Sequence, residues 1–137
     1  MSLPSGTVTF LFTDIERSTR LWQQDPEAMQ RALARHDALV REAIQTHRGH
    51  VFRARGDEFC AAFSAASDAL AAALAAQLAL HQEPWEESTP VRIRMALHTG
   101  AAEQRGGDYF GLALNQAARL LSAGHGGQTL LSRTTYD

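Results

Sequence analysis

Two aspartates stand where apolar segments end, and their type and spacing suit a divalent cation. Asp14 follows the apolar run Val8–Thr13, and Asp57 stands at a Gly-Asp turn between two short apolar segments. Each has a simpler explanation, because Asp caps strand ends and is common in turns. If the two segments pair as strands, however, both carboxylates reach one end of a sheet. Mg²⁺ is typically held by one or two carboxylates together with substrate phosphates, so the pair predicts a metal site for a phosphate-bearing ligand.

A second pair of polar side chains is spaced for one face of a helix. Asn115 and Arg119 are four residues apart, whereas Leu114, Ala117 and Leu121 fall on another face. An amide and a guanidinium on an exposed stripe can be ordinary solvated surface. Beside a metal site they would be the donors that phosphoryl transfer needs, aimed at charge that develops on phosphate oxygens.

Composition limits the classes of function. The 137 residues suit one domain with a real core, and the formal net charge of −2 gives no basic surplus for nucleic acid. All 13 basic residues are Arg, whose planar guanidinium can pair bidentately with phosphate. The single Cys60 excludes an internal disulfide and fits a reducing compartment. Neither a membrane span nor a signal peptide is recognisable, so a cytoplasmic location is expected.

The hydrophobic pattern predicts an α+β protein in the order β-α-β-β-α-β-α-β. This is a ferredoxin-like sandwich, in which helices pack on a mainly antiparallel sheet. The predicted strands are 8–13, 51–55, 58–63, 91–99 and 128–132, and the predicted helices begin at Asp25-Pro26, Ser67 and Gly111.

Three details of this prediction concern individual residues. Gly49 is expected to close the first helix. The second helix is expected to be capped by Ser64 or Ser67 and to present Leu70, Leu74 and Leu78 as its apolar stripe. In the strand 91–99, Val91, Ile93, Met95 and Leu97 alternate onto one face.

Four motifs in register resemble the class III nucleotidyl cyclases, the adenylate and guanylate cyclase catalytic domains. Each motif alone is weak, but their order and spacing together are specific, and the resemblance covers nearly all of the chain. It predicts one catalytic domain over 1–137. The motifs are Phe12-Thr13-Asp14-Ile15-Glu16-Arg17-Ser18-Thr19, Arg55-Gly56-Asp57-Glu58-Phe59, Leu97-His98-Thr99-Gly100, and Asp108-Tyr109-Phe110-Gly111 running into Asn115 and Arg119.

The resemblance implies a metal-dependent adenylate cyclase, a phosphorus–oxygen lyase. Asp14 and Asp57 fall at the family's two metal-binding aspartates, and the backbone carbonyl of Ile15 is implied as a further ligand. Two Mg²⁺ or Mn²⁺ ions per site are expected. They would activate the ribose 3′-hydroxyl of ATP for in-line attack on the α-phosphorus, which forms 3′,5′-cyclic AMP and releases pyrophosphate.

The same resemblance implies roles for four further residues. Asp108 falls at the position that reads the purine edge, and Arg53 aligns where adenylate cyclases carry Lys. Asn115 and Arg119 fall at the pair that positions the ribose and stabilises the transition state. The family works as a head-to-tail homodimer with two shared sites, so a second copy of the chain is the expected partner, with ATP as substrate.

The chain departs from the family pattern in two ways. Arg53 replaces a Lys, and the two are not interchangeable, which leaves ATP favoured over GTP but not decided. The family domain usually continues with a strand pair carrying a phosphate-binding Lys, and this chain has no lysine at all. Three explanations are left open: the strands are absent here, another Arg substitutes for the phosphate-binding Lys, or catalysis is impaired. Regulatory domains outside the sequence remain open.

Two other readings compete with the adenylate cyclase. Arg55-Gly56-Asp57-Glu58-Phe59 resembles the Gly-Gly-Asp-Glu-Phe hairpin of diguanylate cyclases, but Arg55 replaces the first Gly and the Asn115/Arg119 helix has no counterpart in that signature. A degenerate cyclase fold that only binds nucleotide or dimerises is the non-enzyme alternative. Its argument is the missing C-terminal segment, and the filled acidic and transition-state positions argue against it.

Overall fold

The computed structural model describes residues 3–136 and contains a five-stranded sheet with helices on both faces. A separate two-stranded hairpin precedes the fourth helix. In chain order the elements are β1 (Thr7–Ile15), α1 (Ser18–Gln24), α2 (Pro26–Thr46), β2 (His50–Arg55), β3 (Glu58–Phe63), α3 (Ala66–Gln82), β4 (Ile93–Ala101), β5 (Glu103–Arg105), β6 (Asp108–Phe110), α4 (Leu112–Ser122), β7 (Thr129–Leu131) and α5 (Arg133–Tyr136).

The strand order in the sheet is β2-β3-β1-β4-β7. β1 is antiparallel to both of its neighbours, β3 and β4, and β2 is antiparallel to β3. Only β7 pairs in parallel, alongside β4. The predicted α+β architecture with a mainly antiparallel sheet is therefore confirmed, and β1 lies at its centre.

Each face of the sheet has its own core. On one face α2 and α3 pack over side chains such as Leu11, Phe59 and Met95. On the other face α4 packs over Phe10 and Phe12, which alternate with Leu11 along β1. In β4 the residues Ile93, Met95 and Leu97 share the α2–α3 face, as their alternation predicts. The helix α4 is therefore held on the opposite face from α2 and α3.

The start of α2 is as predicted, but its end is not. The Asp25 carboxylate accepts a hydrogen bond of 3.1 Å from the Ala28 N–H, with Pro26 in the first turn. After Thr46 the left-handed backbone conformation is adopted by Arg48, with φ of 66°, rather than by Gly49. Gly49 serves packing instead, because a Cβ there would lie 2.6 Å from the Phe63 ring.

The apolar stripe predicted for α3 is wrong. Leu74 and Leu78 are each 57% exposed, and the buried face consists of Ala69, Ala72, Ala73, Ala76 and Leu80. Alanines let the helix approach the sheet closely, so the small side chains define the inner face. The cap is also wrong, because Ala65 occupies the N-cap position and no side chain caps the helix.

Four short elements were not predicted. The residues after β1 form α1 rather than a polar turn, and the helix begins after Arg17, whose φ is 59°. The Gly106-Gly107 turn joins β5 to β6, two strands of only three residues each. The helix α5 follows β7. Elements this short carry too few residues to show a periodicity in the sequence.

Two buried side chains, Cys60 and His36, lie on or against β3. Cys60 of β3 is buried, and burial raises the pKa of its thiol to about 12. His36 of α2 is fully buried against Phe59, and burial lowers the pKa of its imidazole. Within residues 3–136, no helix combines the length and apolar character needed to cross a membrane.

Candidate active site

The turn between β2 and β3 is joined to the end of β1 through a carboxylate. Asp57 Oδ2 accepts a hydrogen bond of 2.7 Å from the backbone N–H of Ile15. This contact follows from the register, in which Thr13 faces Phe59 on the neighbouring strand. The end of β1 and the β2–β3 turn thus lie at one edge of the sheet. We call Asp14, Ile15 and Asp57 the carboxylate edge.

Asp14 is held by an arginine that the sequence analysis did not single out. Asp14 and Arg94 are directly opposite each other on β1 and β4, and the guanidinium pairs with both carboxylate oxygens. The Arg94 Nε donates at 2.7 Å to Asp14 Oδ1, and the ion pair raises the pKa of Arg94 further above its usual range. The alternation of β4 indicates that Arg94 lies on the face opposite Ile93 and Met95. Its partner Asp14 could be identified only from the register between β1 and β4.

The residues of the carboxylate edge fit a divalent cation that a nucleotide helps to hold. Within residues 3–136, no cluster of three or more His, Cys, Asp or Glu side chains could hold a metal. Two carboxylates are nevertheless enough for Mg²⁺ when phosphates complete its shell. Asp57 Oδ1 has no hydrogen bond in the described chain, and each Asp14 oxygen keeps a lone pair beyond the one that Arg94 uses.

A cleft with a volume of about 560 Å³ begins at Glu16, the residue after the carboxylate edge. Its charged lining consists of three arginines and two glutamates: Arg17, Arg20, Arg92, Glu16 and Glu87. Glu16 accepts a 2.7 Å hydrogen bond from the Gly126 N–H, which lowers the pKa of its carboxyl, with smaller contributions from nearby arginines. Arg20 could not be placed from the sequence, because α1, which positions it, was not predicted.

Arg53 and Asp108 form a second pair on the face of the sheet that carries α4. The Arg53 Nη2 donates to Asp108 Oδ1 at 3.0 Å, and the Tyr109 N–H donates to the same oxygen at 2.8 Å. Both side chains are about one third exposed. Asp108 Oδ2 has no hydrogen bond within residues 3–136, so it remains an acceptor for a ligand. We call Arg53 and Asp108 the purine pair, after the predicted role.

Asn115 and Arg119 lie on the exposed face of α4, opposite the buried Ala113, Leu114, Ala117 and Leu121. In the described chain neither of the two side chains has a hydrogen bond or an ion pair. Their donors are therefore not satisfied by any group of residues 3–136.

The structure does not bring α4 and the carboxylate edge together within one chain. Gln116 at the side of α4 contacts His98, and the buried face of the helix packs over Phe10 and Phe12. No hydrogen bond or ion pair within residues 3–136 joins Asn115 or Arg119 to Asp14 or Asp57. Asn115 and Arg119 also point away from the sheet. The predicted site residues are therefore found in three groups: the carboxylate edge, the purine pair, and Asn115 with Arg119.

Sequence comparison assigns the fold and these motifs to a family. Residues 2–137 match the model of the adenylate and guanylate cyclase catalytic domain. The chain belongs to this family. It is 46% identical over 136 residues to an uncharacterized protein from Mycobacterium tuberculosis. The alignment covers 98% of this chain and 45% of that protein. It is 31% identical to a receptor-type adenylate cyclase from Trypanosoma brucei brucei, over 97% of this chain and 14% of that protein.

Solved structures agree with the family assignment. An adenylate cyclase from Trypanosoma brucei, solved in its monomeric state, superposes with a TM-score of 0.90 and 28% identity, over 99% of this chain and 76% of that one. An adenylate/guanylate cyclase/hydrolase from Silicibacter pomeroyi gives a TM-score of 0.83 and 27% identity, over 95% and 77% of the two chains. The chain spans less than half the length of the mycobacterial relative.

Proposed function

We propose that this cyclase domain converts ATP to 3′,5′-cyclic AMP and pyrophosphate. The observation that supports it most is the carboxylate edge, where the Asp57 carboxylate lies 2.7 Å from the Ile15 nitrogen beside Asp14. The carboxylate edge would hold Mg²⁺ or Mn²⁺ through Asp14, Asp57 and the Ile15 carbonyl. When bound, such a metal lowers the pKa of a ribose hydroxyl and neutralises triphosphate charge.

Arginines near the carboxylate edge would hold the triphosphate. Arg94 already lies against Asp14, and the cleft beside them carries Arg17, Arg20 and Arg92. A guanidinium donates through two parallel N–H groups to phosphate oxygens, so it can replace a lysine as a positive partner. We propose that these arginines do so in a sequence that has no lysine.

Asn115 and Arg119 would act on the ribose and on the charge of the transition state. Because one chain separates them from the carboxylate edge, we propose that each site combines the carboxylate edge of one subunit with α4 of a second copy. Arg119 would donate to the phosphorus-bound oxygens as charge builds on them, and Asn115 would orient the ribose. The lack of internal partners for both side chains supports this arrangement.

The purine pair favours adenine over guanine. Asp108 Oδ1 is already occupied by Arg53 and by the Tyr109 N–H, which leaves Oδ2 as the acceptor. The 6-amino group of adenine donates a hydrogen bond at this edge, whereas guanine presents an acceptor oxygen there. A carboxylate facing that oxygen would leave two acceptors opposed and buried, which is costly.

A direct assay tests the proposed reaction. The protein is incubated with ATP or GTP and with Mg²⁺ or Mn²⁺, and the products are separated by chromatography. Cyclic AMP formed faster than cyclic GMP is the expected result. Cyclic di-GMP from GTP would identify a diguanylate cyclase instead, and nucleotide binding without any cyclic product would identify a binding module. Either result would overturn the proposal.

The variant Asp108→Asn separately tests whether Asp108 distinguishes adenine from guanine. An amide can present either a donor or an acceptor, so the preference for ATP over GTP in kcat/KM should fall by about tenfold, the worth of a charged hydrogen bond. The matched control is Glu103→Gln, since Glu103 lies on the neighbouring β5 outside the purine pair. An unchanged ratio in Asp108→Asn would remove the purine pair from substrate selection.

A further inference from the structure

His98 of β4 lies beneath α4 and makes a hydrogen bond with each of its ring nitrogens. Nε2 is 2.8 Å from Gln116 Oε1 on α4, and Nδ1 is 2.7 Å from Ser132 Oγ after β7. His98 is only 8% exposed. In the tautomer that carries its proton on Nε2, the ring donates to Gln116 and accepts from the Ser132 hydroxyl, which satisfies both nitrogens.

The Ser132 side of this contact is anchored to the sheet. Thr99 Oγ1 lies 2.9 Å from Thr9 Oγ1 and 3.0 Å from Thr135 Oγ1, and Ser132 Oγ lies 3.1 Å from Thr135 Oγ1. The Thr134 hydroxyl also donates to the Thr99 carbonyl at 2.9 Å. These hydroxyls tie the segment after β7 to β4 and β1. The His98 imidazole therefore contacts a segment tied to the sheet through Nδ1 and the helix α4 through Nε2.

The apolar contacts of α4 with the sheet include Leu114 and Leu121, which share a buried cluster with the aromatic side chains of β1. Ala113 packs on Gly100, where an added Cβ would lie 3.0 Å from the Ala113 Cβ. The N-cap residue Gly111 gives no side-chain hydrogen bond. Within residues 3–136, the contact from Gln116 to His98 is the one side-chain hydrogen bond that joins α4 to the sheet. Apolar packing is non-directional, so this hydrogen bond adds a directional constraint on α4.

We propose that His98 is a positioning residue for the cyclase reaction, because its bond to Gln116 sets the direction in which Asn115 and Arg119 leave α4. Gln116 is adjacent to Asn115 and one helical turn before Arg119, so a rotation of α4 moves all three together. A displacement of about 1 Å can cost about 100-fold in rate. This inference rests on the proposed function, since it assigns catalysis to the two residues on α4.

Two substitutions of His98 separate its two hydrogen bonds. His98→Gln places an amide nitrogen near the position of Nε2 and keeps a donor for Gln116. His98→Asn places one near Nδ1 and keeps only the contact with Ser132. The expected result is a kcat lowered about 10- to 100-fold in His98→Asn, with KM for ATP and Mn²⁺ affinity unchanged, and most of the activity retained in His98→Gln. Equal losses in both variants would overturn the proposal.

Amide hydrogen exchange gives a readout that does not need activity. In His98→Asn, exchange should speed up in α4 but not in α2, while His98→Gln should resemble the wild type. The control His47→Asn alters a histidine on α2 whose Nδ1 contacts the Ala43 carbonyl at 2.8 Å, and it should leave α4 unchanged. Unchanged exchange of α4 in His98→Asn would overturn the proposal.

The two measurements also distinguish this proposal from the function on which it rests. A wild-type protein without cyclase activity would overturn the proposed function, and exchange alone would then decide whether His98 holds α4. An active wild type whose His98→Asn variant loosens α4 yet keeps its kcat would overturn the positioning role and leave the proposed function standing.

Discussion

At the carboxylate edge both aspartates are engaged inside the chain, whereas on α4 Asn115 and Arg119 have no hydrogen-bond or ion-pair partner among residues 3–136. Asp57 accepts from the Ile15 N–H at 2.7 Å, and Asp14 is paired with Arg94. One group thus contributes to the fold and to the proposed chemistry, and the other to the chemistry alone. This difference predicts that substitutions in the two regions will separate stability from activity.

The largest effect is expected at Asp57, where both properties should change. Asp57→Ala removes a proposed metal ligand and leaves the buried Ile15 N–H unsatisfied, so activity should be lost and the free energy of unfolding should fall by about 1–3 kcal/mol. Asp57→Asn keeps an acceptor for this N–H, so it should be inactive but nearly as stable as the wild type. Urea unfolding and the cyclase assay measure the two effects. Equal stability of wild type and Asp57→Ala would contradict the structural role.

A smaller loss, confined to activity, is expected at Arg119. Removal of one preorganised donor typically costs about 2.7–4 kcal/mol in transition-state stabilisation, so Arg119→Ala should lower kcat about 100- to 1000-fold. Its free energy of unfolding should not change, because the side chain is exposed on α4. Arg105→Ala on β5 is the control for loss of an exposed arginine outside the proposed site, since its side chain is 63% exposed. A destabilised Arg119→Ala would show that the side chain has a structural partner.

Mixing the two inactive variants tests whether the two regions meet across subunits. A heterodimer of Asp57→Ala and Arg119→Ala has one site in which both groups are intact. An equal mixture that exchanges subunits freely should therefore regain about a quarter of the wild-type activity, since half of its dimers carry one of two sites. If heterodimers form and the mixture stays inactive, the two groups do not belong to a shared site.

The smallest effect concerns pH and the buried His36 behind the carboxylate edge. Its Nδ1 is 2.8 Å from Asp37 Oδ1, its Nε2 has no hydrogen-bond partner in the part of the chain that the structure describes, and burial lowers the pKa of the imidazole. The unfolded chain binds the proton more readily, so stability should decrease as pH falls below about 6.5, the ordinary value. Urea unfolding between pH 7.5 and 5.5 should show a steeper decline for the wild type than for His36→Gln. Parallel curves would contradict this linkage.

Much of the fold follows from sequence patterns, because several elements carry strong local signals. Asp25-Pro26 marks the start of α2, and the alternation in β4 identifies its inner face. The inner face of α3 was predicted wrongly, because hydrophobicity alone ranks Leu above Ala for burial. What decided the inner face was how closely the helix approaches the sheet, and that depends on tertiary packing. No local signal in the sequence reports it.

The candidate site was less accessible to sequence reasoning than the fold. Residue type and spacing pointed to the pairs Asp14/Asp57 and Asn115/Arg119, and the resemblance to cyclases added Arg53 and Asp108. The structure places these residues in three groups. The roles of these residues stay predictions. Arg94 and the bond between His98 and Gln116 could not be found in advance, because both depend on which residues face each other between elements distant in sequence.

Because Cys60 is buried on β3, chemical labelling of its thiol can measure how often this strand opens. Cys60 is the single cysteine of the chain, and the raised pKa of its thiol, about 12, leaves almost no reactive thiolate in the folded state. A disulfide reagent can modify it only when β3 separates from its neighbours. The labelling rate of the unmodified protein therefore reports how often this part of the sheet opens, and a bound nucleotide that bridges β1 and the β2–β3 turn should slow it.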